Sequence, residues 1–150
     1  MKSAWPILAA FSFTLGCAQH RWATPDQFVE LESSRDGAKF VASDDARLWV
    51  RRFVPEAEGT LTYWRDHVRN HFTNERGYTL VSERDVKLDG EPAVEFVFEA
   101  TVDGALARYA LFLRLDHGLM KDRVVTAEFV GNQESFAKHE AAVRSALRVE

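Results

Sequence analysis

Between Tyr78 and Leu115 the chain reads as three runs of alternating apolar and polar residues, YTLVSERDVKL, PAVEFVFEATV and ALARYALFLRL, parted by Asp89-Gly90 and Asp103-Gly104. An Asp-Gly pair between alternating runs is the strongest short-range hairpin signal, because both central residues of the tight turn need positive φ. The centre of the chain is therefore committed to consecutive antiparallel strands, which excludes a helical bundle or an all-parallel sheet. On the second run Val94, Phe96, Phe98, Ala100 and Val102 share one face. Tyr109, Leu111, Leu113 and Leu115 do so on the third.

The flanks extend this pattern. FVELES at 28–33 and AKFVAS at 38–43 alternate around the turn signal Arg35-Asp36-Gly37, and RLWVRRFV at 47–54 predicts a third strand. Pro55 ends it. A helix opens at Thr60 as N-cap, carries the stripe Leu61, Trp64, Val68 and Phe72, and closes at Gly77 as C-cap. RVVTAEFVG at 123–131 predicts one more strand. A closing helix runs from about Gln133 to Arg148, with Phe136, Val143 and Leu147 on its buried face and Ala146 beside them. Three strands, a helix, four strands and a helix predict an α+β fold: an antiparallel sheet of about 6–7 strands flanked by two helices.

With 150 residues, eleven Phe and four Trp, a single domain has core enough without a disulfide. The lone cysteine forbids an intrachain disulfide or a Cys-based metal site. The formal charge of −4, with Lys and Arg dispersed, lacks the basic stripe that nucleic-acid binding demands.

That lone cysteine has an address. Behind Lys2 the run AWPILAAFSFTL, from Ala4 to Leu15, has signal-peptide length and falls short of the roughly 20 residues that span a bilayer. Leu15, Gly16 and Cys17 then resemble the lipobox of bacterial lipoproteins, with Thr14 where leucine is usual. The resemblance implies a signal peptide over 1–16, a diacylated Cys17, and a tether over 17–27 carrying Pro25. Two acyl chains suffice for stable anchoring. Ala18 after the cysteine implies the outer membrane in the usual sorting pattern. Loss of Lys2 with the leader leaves its 19 basic residues less one against 23 acidic, a formal −5 that anionic lipid would repel.

The body from 28 to 150 resembles the PsbP-like fold family, which includes small bacterial envelope lipoproteins. Three features carry the resemblance: the amphipathic helix TLTYWRDHVRNHF, the hairpin VKLDGEPAVEFVFEA with Gly90 and Pro92 at its turn, and ESFAKHEAAVRSAL after the last strand. It implies an α/β/α sandwich with a non-enzymatic accessory or binding role, an envelope protein partner, and no cofactor.

The residues that could carry chemistry are few. His67 and His71, four apart on the first helix, present two imidazoles on one face, with Asp66 and Glu75 the nearest third ligands. They are weak metal candidates, since the same positions flank the buried stripe. His117 lies in a loop beside Asp116, but no serine has a nucleophile-elbow context. Glu95 and Glu99 could pair as acid and base, or form the solvated side of a half-buried strand. Arg108 and Arg114 could line their face in cross-strand pairs, while Arg51 and Arg52 must point to opposite faces. Trp49, Tyr63, Tyr78 and Tyr109 could line a groove between the sheet and the first helix, though core packing is the default for such aromatics. No catalytic residue is assigned. The leading expectation is a tethered protein-binding module; the alternative is a small-ligand or metal carrier with a pocket beside the first helix.

Overall fold

The computed structural model describes residues 22–150. Cys17, the leader and the first part of the tether lie outside the described residues. Seven strands form one sheet: β1 (Phe28–Ser34), β2 (Gly37–Ala42), β3 (Arg47–Phe53), β4 (Thr79–Leu88), β5 (Glu91–Val102), β6 (Ala105–Asp116) and β7 (Arg123–Asn132). Their order across the sheet is β1-β2-β3-β7-β6-β5-β4, and every neighbouring pair is antiparallel. Two meanders, β1–β3 and β4–β7, thus meet at the β3–β7 pair.

The Asp-Gly turns form as their sequence demands. Asp89 and Gly90 have φ of 54° and 81°, and Asp103 and Gly104 have 51° and 79°, the left-handed pair that a type I′ hairpin needs.

Helix α1 (Leu61–Asn70) links the meanders. Thr60 caps it by accepting from Tyr63 N at 3.2 Å. The stripe continues through a π turn over His71–Glu75, which Arg76 N closes by donating to His71 O at 3.0 Å. Gly77, with φ of 70°, then turns the chain into β4. Helix α2 (Gln133–Ala146) opens on Asn132, whose side chain accepts from Ser135 N at 2.8 Å.

The helices lie on opposite faces and are staggered. Val68 and Phe72 of α1 pack on Val94, Phe96 and Phe98 of β5 and on Tyr109, Leu111 and Leu113 of β6. Phe136 and Val143 of α2 pack on Phe28, Phe40, Leu48, Phe112 and Phe129. Alternation along each strand sends its two faces to these two separate cores.

Part of the expected tether is attached to the body. Pro25 is buried and Trp22 packs against the α2-side core.

Candidate functional site

Stagger decides which surfaces remain open. Seven strands at ~4.8 Å spacing make a sheet about 29 Å wide, and a helix about 10 Å across covers only a part of it. On the α2 side, the half that α2 leaves bare is closed by charge. Glu95 is 1% exposed, held by Arg84 of β4 and Arg144 of α2, and Arg108 reaches Glu99 at 3.1 Å. Glu95 is therefore not on a solvated strand face, as alternation alone predicts, because an arginine from the helix layer folds over it. Arg114 does not join these carboxylates and pairs with Asp116 at 2.8 Å.

On the α1 side, the half left bare is apolar. Val29 and Leu31 of β1 are 64% and 66% exposed, and Trp49 of β3 is 42% exposed. Leu31, Val41, Trp49 and Val130 line an open trough of about 540 Å³. Cations rim it: Lys39 Nζ and Arg51 lie 5.1 and 4.5 Å from the Trp49 ring centre, on the same face as Arg47. Among the described residues, no second layer covers this patch.

Beside the trough, between α1 and the sheet, lies a pocket of about 170 Å³ lined by Arg51, Trp64, His67, His71, Arg76, Thr126 and Glu128 among others. Arg51 and the Tyr109 hydroxyl both hydrogen-bond the Glu128 carboxylate. Burial, reinforced by that neighbouring charge and hydrogen bond, pushes the Tyr109 phenol far above its ordinary range. Three buried polar atoms on lining residues, Arg51 Nε, Trp64 Nε1 and Thr126 Oγ1, have no hydrogen-bond partner among the described residues. All three can donate.

The structure brings His67 and His71 together here, their ring centres 6.3 Å apart, with Glu75 and a guanidinium both engaged by His71. His71 Nδ1 lies 2.7 Å from Glu75, and Arg76 Nε donates to its Nε2 at 3.2 Å. Asp66 is taken by Arg69 at 2.8 Å. Among the described residues no group of three or more His, Cys, Asp or Glu is placed to hold a metal ion. Of the four groove aromatics, Trp49 and Tyr109 line the trough. Tyr78 packs against Phe72 at 5.6 Å, and Tyr63 lies outside on the helix, stacked on His67 at 6.4 Å. His117 is exposed and faces Asp122 at 3.2 Å.

One buried polar link was missed in the sequence. His139 of α2 is 2% exposed and its Nε2 lies 3.0 Å from both oxygens of Asp44, in the β2–β3 turn. Burial works to raise the Asp44 carboxyl, but hydrogen bonds from Lys138 and His139 outweigh it and hold it below the usual carboxylate range. The signal was available: residue 139 falls between Phe136 and Val143 at helical spacing.

With sheet order, stagger and site in hand, the architecture can be set beside known ones. The chain shares its fold with two bacterial proteins of known structure. LpqN of Mycobacterium tuberculosis, involved in cell envelope biogenesis, superposes with a TM-score of 0.67 at 14% identity, covering 83% of this chain and 78% of LpqN. A Pseudomonas aeruginosa protein of unknown function, described as a putative regulator, gives 0.55 at 15% identity, covering 79% of this chain and 76% of that one. No family model matches the chain. No curated protein matches it either. Identities this low carry the fold and leave function to the site itself.

Proposed function

We propose that the chain is a non-enzymatic accessory module of the bacterial cell envelope, lipid-anchored at Cys17 and docking a protein partner on the uncovered half of its sheet. The observation that carries this reading is the apolar trough at Leu31, Val41, Trp49 and Val130 with its cationic rim. Exposed apolar surface grouped in one place and rimmed by polar groups marks an interaction site, and Trp and Arg are the residue types that anchor protein interfaces. Lys39 and Arg51 are paired with Glu32 and Glu128, so the apolar floor rather than net charge selects the partner, with the ion pairs framing its margin. A fold shared with an envelope-biogenesis protein supports the compartment, as does the lipobox-like run before Cys17. Anchoring would raise the effective concentration of partners in that membrane, so modest affinity suffices.

Fractionation of cells carrying wild type and Cys17→Ser tests the anchor. Wild type should carry acyl mass and sediment with the outer membrane, and the variant should appear in the soluble fraction. A wild type without acyl mass, or a variant that stays membrane-bound, would sink this part of the reading.

A second reading, a small-ligand carrier, is favoured by the three unpartnered donors around the pocket beside α1. Their chemistry calls for a ligand rich in acceptor oxygen rather than a metal. Native mass spectrometry of protein purified from its host should then show a bound small molecule that Thr126→Val loses. Retention of the same molecule by the variant would remove the pocket from consideration.

A further inference from the structure

On the opposite face from the trough, near the C-terminal end of α2, lies a cavity of about 230 Å³. Val50, Leu88, Val125 and Leu147 give it apolar walls, Trp22 lines it from the segment before β1, and one buried cation, Arg114, reaches it. Arg114 is 6% exposed. Its Nη1 donates to Leu88 O at 2.9 Å, and its Nη2 lies 2.8 Å from Asp116 Oδ1. Its Nε, equally buried, has no hydrogen-bond partner among the described residues.

Among the described residues, the charges around it do not balance. Asp116 is shared with Arg52, whose Nε comes within 3.0 Å of Oδ2 as an ion pair without making a hydrogen bond, and Arg123 is the register partner of Asp116 on β7. Asp89, the carboxylate that lines the cavity, is taken by Arg148 at 3.0 Å. Two guanidiniums of low exposure thus share one carboxylate. An arginine cannot shed its charge, so the excess and the unmet N–H both carry a desolvation cost that one bound anion would remove.

We propose that this cavity is a binding site for a small monocarboxylate with an apolar body, its carboxylate on Arg114 and its carbon chain along Val50, Leu88, Val125 and Leu147. Arg114 is the one buried guanidinium among the described residues that lines the cavity, and it presents a single charge for a carboxylate to meet. The apolar walls reward a hydrocarbon body and offer nothing to an inorganic ion. At about 30 Å³ per water-sized group, the space takes roughly eight heavy atoms, the size of hexanoate. This site is separate from the docking face and does not depend on it.

Hexanoate titration of the purified protein tests the proposal, with acetate, hexanol and inorganic phosphate as comparison ligands. Hexanoate should move the Arg114 Nε–H resonance in the ¹H–¹⁵N spectrum and raise Tm saturably, as binding to the folded state requires. Acetate, hexanol and phosphate should do less, each lacking the apolar body, the carboxylate or both. Arg114→Met should weaken hexanoate binding by roughly tenfold or more, and Ala146→Leu, which fills the cavity and leaves Arg114 in place, should do the same. If Arg114→Met fails to fold, Ala146→Leu decides alone. An Nε–H unmoved by hexanoate, a phosphate effect equal to that of hexanoate, or undiminished binding in Ala146→Leu would each overturn the site.

Discussion

Arg84 from β4 and Arg144 from α2 close on Glu95 from two sides, and they take the carboxylate almost wholly out of water. Removing it strands Arg144 beneath the helix layer. Glu95→Ala should cost about 3 kcal/mol, the low end for a broken buried pair because Arg84 reaches solvent. Urea unfolding checks this as a fall in midpoint at constant slope; a change within about 0.5 kcal/mol would mean the pair is solvated and stabilises little. Alternation along β5 placed Glu95 opposite Phe96 and Phe98 correctly, but it cannot report that a second layer covers that face. Glu95 and His139 share this limit: their partners come from other elements, and strand or helix periods carry no information about what crosses from a distant segment. Arg108 with Glu99 was legible, because the partner sits across a hairpin whose register the Asp103-Gly104 turn determines.

At the scale of elements, α1 is tied to β4 by ions as well as by its apolar stripe. Arg65 and Arg69 both reach Glu83, and Arg69 Nε donates to it at 2.7 Å. The Arg69 hydrogen bond, and then that of Arg65, holds the Glu83 carboxyl below its ordinary range against the opposing pull of burial, while both guanidiniums are pushed upward. A carboxyl depressed on folding stabilises fully above its unfolded pKa of about 4.3, and that contribution is lost as pH falls through the lower folded value. Tm should therefore hold between about pH 8 and 5 and drop below about 4, with the acid drop shallower in Glu83→Gln. An acid limb of equal slope in wild type and variant would show that the clamp contributes nothing. The strands and both helices were legible because turn chemistry, caps and periods agree at each of them. The π turn at His71–Glu75 was not, since the stripe runs through it without a break. Each edge strand, β1 and β4, carries a bulge, at Leu31 and Val81, that disturbs the ladder and discourages edge-to-edge pairing. The face of the sheet, rather than its rim, is thereby left as the surface open to docking under the proposed function.

For the whole molecule, the stagger of α1 and α2 is what distinguishes the two bare half-faces. One is neutralised by Glu95, Glu99 and their arginines; the other keeps Val29, Leu31 and Trp49 in water beside Lys39 and Arg51. Sequence alternation identified Trp49 as strand-borne but could not tell that neither α1 nor α2 would cover it, because coverage depends on where a ten-residue helix lands on a seven-stranded sheet. The central claim is that this half-face is where a partner sits. Site-specific photocrosslinking in the native envelope tests it most directly, with the photoreactive side chain placed at Leu31 and, for comparison, at Val81 on the far edge. The account predicts one discrete protein adduct from Leu31, none from Val81, and loss of the Leu31 adduct when Trp49→Ala is added. The same adducts from both positions, or no adduct from Leu31 in folded, membrane-held protein, would contradict it.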